Sequence, residues 1–158
     1  MCGICGIVWK QSGVDDGGTI RRMNRAMTHR GPDDEGYFTD QTTQLAMRRL
    51  SIIDVAGGRQ PITTDDGRHT VVFNGEIYNF QAVRDDLTRL GHRFHTLCDT
   101  EVVLHAFVEW GPDSLQRLRG MFALAIWDRD TKELFCARDR LGIKPFLFAE
   151  TSQWFGFA

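Results

Sequence analysis

Several absences narrow what this chain does. No apolar run in its 158 residues is long enough to cross a bilayer: stretches such as Met121 to Trp127 fall far short of the about 20 residues a spanning helix needs. The N-terminus carries no basic segment followed by a long apolar core, so it does not read as a secretory signal, and cytoplasmic residence is the default expectation. Neither sign of charge dominates. Nineteen Lys and Arg against 21 Asp and Glu leave a net −2 with both signs scattered, which argues against nucleic-acid or membrane-surface partners. The Arg21–Arg22 pair reads as a solvated helix face. No repeat, low-complexity tract or linker divides the sequence, so a single domain over 1–158 is the simplest organisation, of a size that buries roughly two thirds of its unfolded surface. Cysteine is scarce, with four residues at positions 2, 5, 98 and 136. The Cys2-x-x-Cys5 spacing lacks the second pair of ligands a zinc site requires, so no metal is expected, and reduced, buried or catalytic thiols are the better account.

What is present begins at residue 2. Met1-Cys2-Gly3-Ile4 puts a thiol where removal of one methionine makes it N-terminal, and the small second side chain favours that removal. A chain beginning at Cys2 carries a nucleophile and a free α-amine on one residue. The amine's unperturbed pKa of about 7.7–8.0 leaves a useful fraction unprotonated near neutrality, so covalent geometry alone supplies a general base to the thiol.

The apolar pattern predicts α+β with helices covering sheets. Strands are expected at 4–9, 37–39, 44–49, 51–54, 69–74, 93–96, 121–128 and 133–138. Helices are expected at 17–29, with Ile20, Met23 and Met27 on one face, and at 79–90, stopped by Gly91. A third is expected at about 100–110 with Asp99 as its N-cap, then a short one near 113–118. Residues 153–158 read as the middle of a strand. Ending there leaves edge groups and apolar side chains bare, so the native protein is expected to continue.

Three local signals have both a chemical and a plain reading. Asn74-Gly75, at a strand-to-helix transition, is either a hairpin-type turn or a pair of donors, a side-chain amide and a main-chain N–H, for an oxyanion. Arg49, in a strand-like run, is either solvated or a bidentate clamp for a carboxylate. Asp99 and Glu101 are either acids favoured at a helix N-terminus or ligands of an ammonium group. Taken together with an N-terminal thiol, the chemical readings describe one ligand, an α-amino acid with a side-chain amide, and glutamine fits.

The motifs Met1-Cys2-Gly3-Ile4, His29-Arg30-Gly31-Pro32-Asp33, Arg49-Leu50-Ser51-Ile52-Ile53-Asp54, Phe73-Asn74-Gly75-Glu76-Ile77-Tyr78-Asn79, Asp99-Thr100-Glu101 and Ala137-Arg138-Asp139-Arg140-Leu141-Gly142-Ile143-Lys144-Pro145 occur in that order. Over essentially its whole length the chain resembles the glutaminase domain of glutamine-dependent asparagine synthetases, a class II glutamine amidotransferase. The resemblance implies a four-layer αββα sandwich of the N-terminal nucleophile type. It implies Cys2 as nucleophile with its own α-amine as base, and Asn74 and the Gly75 N–H as oxyanion donors. Arg49 would hold the glutamine carboxylate with main-chain help from Leu50, Ser51, Ile52 and Ile53. Glu76 and Asp99 would bind its ammonium group, and the Arg30–Gly36 loop would lie near the site as a cover.

No cofactor is implied for this domain. ATP and magnesium belong to a C-terminal synthetase domain that would amidate aspartate with the ammonia, and no phosphate-cradling Gly-rich loop appears in 1–158. A homodimer is left open. Two rivals remain: an amidotransferase with another acceptor, and a catalytically silent regulatory module of the same fold. Two departures from the family pattern stand out, Cys98 in place of the usual Ser or Thr, and Phe146-Leu147-Phe148 in place of a stretch that commonly contains Tyr.

Overall fold

The computed structural model describes residues 2–11, 18–50 and 58–158. Strands β1 (Gly3–Trp9), β2 (Asp34–Thr39), β3 (Thr43–Arg49), β8 (Phe148–Glu150) and β9 (Trp154–Phe157) form one sheet in the order β2-β3-β1-β9-β8. Strands β4 (Ile62–Thr63), β5 (His69–Ile77), β6 (Gly120–Asp128) and β7 (Glu133–Arg138) form a second in sequential order. All described pairings are antiparallel. Helix α1 (Gly18–Ala26) packs on β1 and β3, while α3 (Asp99–Trp110) packs on β5 and α2 (Phe80–Arg89) packs on α3, both joining the core over the second sheet. A 3-10 turn (Gly111–Asp113) and α4 (Ser114–Arg117) lead into β6.

The period-two geometry of strands sorts the apolar side chains into three layers. From the central strands, Val71, Phe73, Leu124 and Ile126 point to the helices and meet Val102 and Val103 of α3. Their neighbours Val72, Ala123, Ala125 and Trp127 point the other way and meet Ile4, Leu45, Met47 and Phe157 of the first sheet. On the far side of that sheet Cys5 and Ala46 meet Ile20 of α1. The sequence helix–sheet–sheet–helix is therefore the αββα sandwich. β5 and β6 are apolar on both faces because both faces are covered.

The expected elements hold at the strongly periodic segments and shift at the polar ones. The strand expected at 93–96 does not form. The Glu101 carboxylate instead accepts from the N–H groups of His95 and Thr96, both at 2.8 Å, so a helix side chain takes the bonds a strand partner would make. Cys98, not Asp99, is the N-cap of α3, and Asp99 is the first helical residue. The helix expected to reach residue 29 ends at Ala26 in turns closed by Met27, Thr28 and Arg30 N–H groups. Strand β2 begins at Asp34, and the two-residue β4 carried too little pattern to be foreseen. The strand expected at 51–54 lies outside the described residues.

Candidate active site

One end of the sandwich collects the chemistry. Cys2 immediately precedes β1 and Arg49 ends β3; the pairing of Gly3 with Arg48 sets them side by side. Cys2 is half-buried, its Sγ lies 3.8 Å from the Leu50 carbonyl oxygen, and its own carbonyl accepts from Arg30 Nε at 3.1 Å. Across the interlayer space, β5 contributes Asn74, Gly75 and Glu76, and the first turn of α3 contributes Asp99. All of these, with Leu50, line one cavity of about 210 Å³. That is below the roughly 300–1,000 Å³ typical of drug-sized sites and suits a small metabolite.

Asn74-Gly75 is not a turn. Both residues sit inside β5, opposite Ala123 and Phe122 of β6, and the strand runs on to Ile77. Alternation puts the Asn74 and Glu76 side chains on the face of Val72, toward the sheet that carries Cys2 and Arg49. Main-chain groups follow the same rule. Among the described residues, the far edge of β5 pairs with another strand only at Thr70 and Val71 of β5, against β4. On that edge the Phe73 N–H donates to Gln60 Oε1 at 2.7 Å and the Ile77 N–H to Asp99 Oδ2 at 2.9 Å. Gly75 lies midway between them, so its N–H faces the same edge. A side chain here would collide with β6: a Cβ on Gly75 would lie 2.4 Å from the Met121 carbonyl oxygen.

The cavity carries both signs of charge. Arg49 and Lys144, 6 % and 7 % exposed, bring cations to its wall, and Glu76 and Asp99 bring carboxylates. Burial raises the Asp99 pKa to about 6 and the Glu76 charge adds to this, against the stabilising N–H of Ile77. An α-amino acid presents the complementary pair of charges.

The other thiols are placed differently. Cys5 faces α1, on the opposite side of the sheet from Cys2's apolar contacts, so the Cys2-x-x-Cys5 pair does not converge. Burial pushes the Cys5 and Cys136 thiols up to about 12, which leaves them protonated at neutral pH. Cys98 lines the cavity, its Sγ 2.9 Å from Thr96 Oγ1. Among the described residues no group of three His, Cys, Asp or Glu is gathered as a metal ion would need.

Of the residues expected from sequence, Cys2, Arg49, Leu50, Asn74, Gly75, Glu76 and Asp99 come together; Ser51, Ile52 and Ile53 lie outside the described residues. The Arg30–Gly36 segment is only partly a loop, because Asp34 and Glu35 already pair with Arg49 and Arg48 in the sheet. Its Arg30 end reaches the Cys2 carbonyl. Gln60 and Lys144 also line the cavity, and no sequence pattern assigns either a role there. Gln60 stands in a short polar stretch without periodicity, and Lys144 belongs to a motif noted only for its resemblance.

A family profile described as the glutamine amidotransferase domain matches residues 1–158. Among curated proteins, the glutamine-hydrolyzing asparagine synthetase 3 of Bacillus subtilis is 41% identical over 160 residues, which cover 99% of this chain and 26% of that protein. Asparagine synthetase B of Escherichia coli is 40% identical over 146 residues, covering 92% of this chain and 26% of that protein. The chain thus spans about a quarter of the length of these relatives. Among solved structures, the glutamine phosphoribosylpyrophosphate amidotransferase of B. subtilis superposes with a TM-score of 0.75 at 18% identity, over 99% of this chain and 41% of that one. At that identity the likeness concerns the fold alone, the layered αββα sandwich described above.

Proposed function

Because the chain belongs to the class II glutamine amidotransferase domain family, we propose that it hydrolyses L-glutamine to glutamate and ammonia. The observation that carries this reading is the convergence on one small cavity of a second-position thiol, a two-donor strand segment and charges of both signs.

With Met1 removed, the Cys2 α-amine takes the thiol proton, and the thiolate attacks the side-chain amide carbon of glutamine. The Asn74 amide and the Gly75 N–H donate to the oxygen that becomes negative. Collapse breaks the C–N bond, the ammonium formed from the α-amine returns its proton to the leaving nitrogen, and ammonia departs. This leaves a γ-glutamyl thioester on Cys2. Water, deprotonated by the same amine, then attacks the thioester and releases glutamate. Arg49 holds the α-carboxylate, helped by main-chain groups from Leu50 to Ile53, while Glu76 and Asp99 hold the α-ammonium.

In the complete protein the ammonia passes to a C-terminal synthetase domain that amidates aspartate with ATP and magnesium, in the cytoplasm. The lengths and names of the relatives support a synthetase domain beyond this one, and no cofactor is required by the chemistry at Cys2. Among the described residues no helix is long and apolar enough to cross a membrane.

The test is ammonia and glutamate release from L-glutamine, in equal amounts, followed across pH. Above about pH 6 Asp99 is ionised and attracts the substrate ammonium; below it the carboxyl is protonated, so KM rises as pH falls through 6. The sign for stability is opposite. A carboxyl whose folded pKa is raised favours folding in its protonated form, and that contribution is lost as pH rises from 3.8 through 6. Asp99→Asn keeps an acceptor for the Ile77 N–H but loses the charge. It is expected to raise Tm at pH 8 while raising KM about 10- to 100-fold, the worth of a charged hydrogen bond. Absence of ammonia release at any pH, from protein beginning at Cys2, would contradict the proposal.

A further inference from the structure

Gln60 joins the two halves of the cavity through one side-chain amide. Its Oε1 accepts the Phe73 N–H at 2.7 Å, on the strand that carries Asn74 and Gly75. Its Nε2 donates to Thr100 Oγ1 at 3.2 Å, on the helix turn that carries Asp99. Along this edge of β5 the Phe73, Gly75 and Ile77 N–H groups follow one another at about 6.8 Å. Gln60 holds the first and Asp99 the third, so the Gly75 N–H is framed between the two.

The backbone of Gln60 is itself fixed. Gly36 of β2 packs against it so closely that a Cβ there would lie 1.8 Å from the Gln60 carbonyl oxygen. Two residues later, Ile62 pairs with Val71 of β5. The side chain therefore acts from a rigid base.

The primary amide accepts from the Phe73 N–H and donates to the Thr100 hydroxyl, so both bonds form without adding charge to the cavity. A glutamate at this position could accept from both groups, but it would add a third carboxylate beside Glu76 and Asp99. An apolar residue would strip the Phe73 N–H of its partner.

We propose that Gln60 is a positioning residue that sets the reach of the site, the separation between the Gly75 N–H and the Asp99 carboxylate, and so selects the length of the amide side chain. This rests on the glutaminase reading. A substrate anchored at Asp99 by its ammonium presents its amide carbonyl to Gly75 only if the intervening carbons span that fixed gap. L-Asparagine, one methylene shorter, falls short of it.

The experiment measures kcat and KM for L-glutamine and L-asparagine in the complete protein, with Tm recorded alongside. Gln60→Ala is expected to lower kcat/KM for glutamine about 10²-fold, chiefly through kcat, as a misplacement of about 1 Å does. It should also narrow the preference for glutamine over asparagine about tenfold, within the range a single methylene commands. Thr100→Val should reproduce the narrowed preference by removing the acceptor, and Thr100→Ser should retain the wild-type preference. If the wild type releases ammonia while Gln60→Ala keeps the wild-type preference and kcat, losing only Tm, Gln60 is merely structural and the proposal is overturned, with the glutaminase reading intact. Thr100→Val and Thr100→Ser giving the same preference would overturn it as well. A wild type inactive on glutamine removes both readings.

Discussion

Replacing Cys2 by alanine is expected to abolish ammonia release from L-glutamine and leave the fold intact. When a covalent nucleophile does the chemistry, its removal costs on the order of 10⁶ in kcat, which here means a fall to the floor of the assay. The fold should tolerate the change because Cys2 precedes β1, whose ladder to β3 starts at Gly3, and its described polar contacts use the carbonyl and a distant sulfur. Neither Cys5 nor Cys136 can stand in, since burial holds both thiols protonated. Ammonia release by Cys2→Ala at more than a few per cent of the wild-type rate would place the nucleophile elsewhere. Unchanged far-ultraviolet circular dichroism and Tm would show that the loss is chemical.

The second large effect is expected at Asn74. If its amide donates to the developing oxyanion, Asn74→Ala should lower kcat about 10²–10³-fold with little change in KM, because the bond strengthens only as negative charge appears on the oxygen. The structure removes the competing explanation. As a turn residue Asn74 would matter for folding, but it sits in the middle of β5, opposite Ala123, where alanine continues the strand. A fall of less than threefold would mean that the amide does not touch the reacting oxygen. A rise in KM equal to the fall in kcat/KM would assign it to ground-state binding instead.

How far the sequence could be read depended on where periodicity and covalent position carried the signal. The two-sided apolar run at 69–74 and the paired run at 121–128 identified the central strands, because both of their faces are buried by neighbouring layers. Cys2 was legible because its chemistry follows from chain position alone. Asn74-Gly75 was ambiguous because a turn and a strand edge use the same two residues; only the continuous register from His69 to Ile77 separates them. The sequence points to Asp99 as the cap, one residue late, since the choice between Cys98 and Asp99 depends on which residue leaves helical backbone geometry. The expected strand at 93–96 failed because the Glu101 carboxylate, from a helix later in the chain, takes the N–H groups of His95 and Thr96. Gln60 was invisible because its role consists of two long-range hydrogen bonds, to Phe73 and Thr100.

The central claim is that Cys2, freed of Met1, forms a covalent bond to the substrate. The direct measurement is intact-protein mass after mixing with excess L-glutamine and quenching in acid within the turnover time, followed by mapping of the modified peptide. The account predicts a population heavier by one γ-glutamyl group, attached to an N-terminal Cys2 and discharged by hydroxylamine, and no such population when Met1 is retained. Ammonia release with the group on another residue, or equal turnover by the Met1-retaining form, would contradict it.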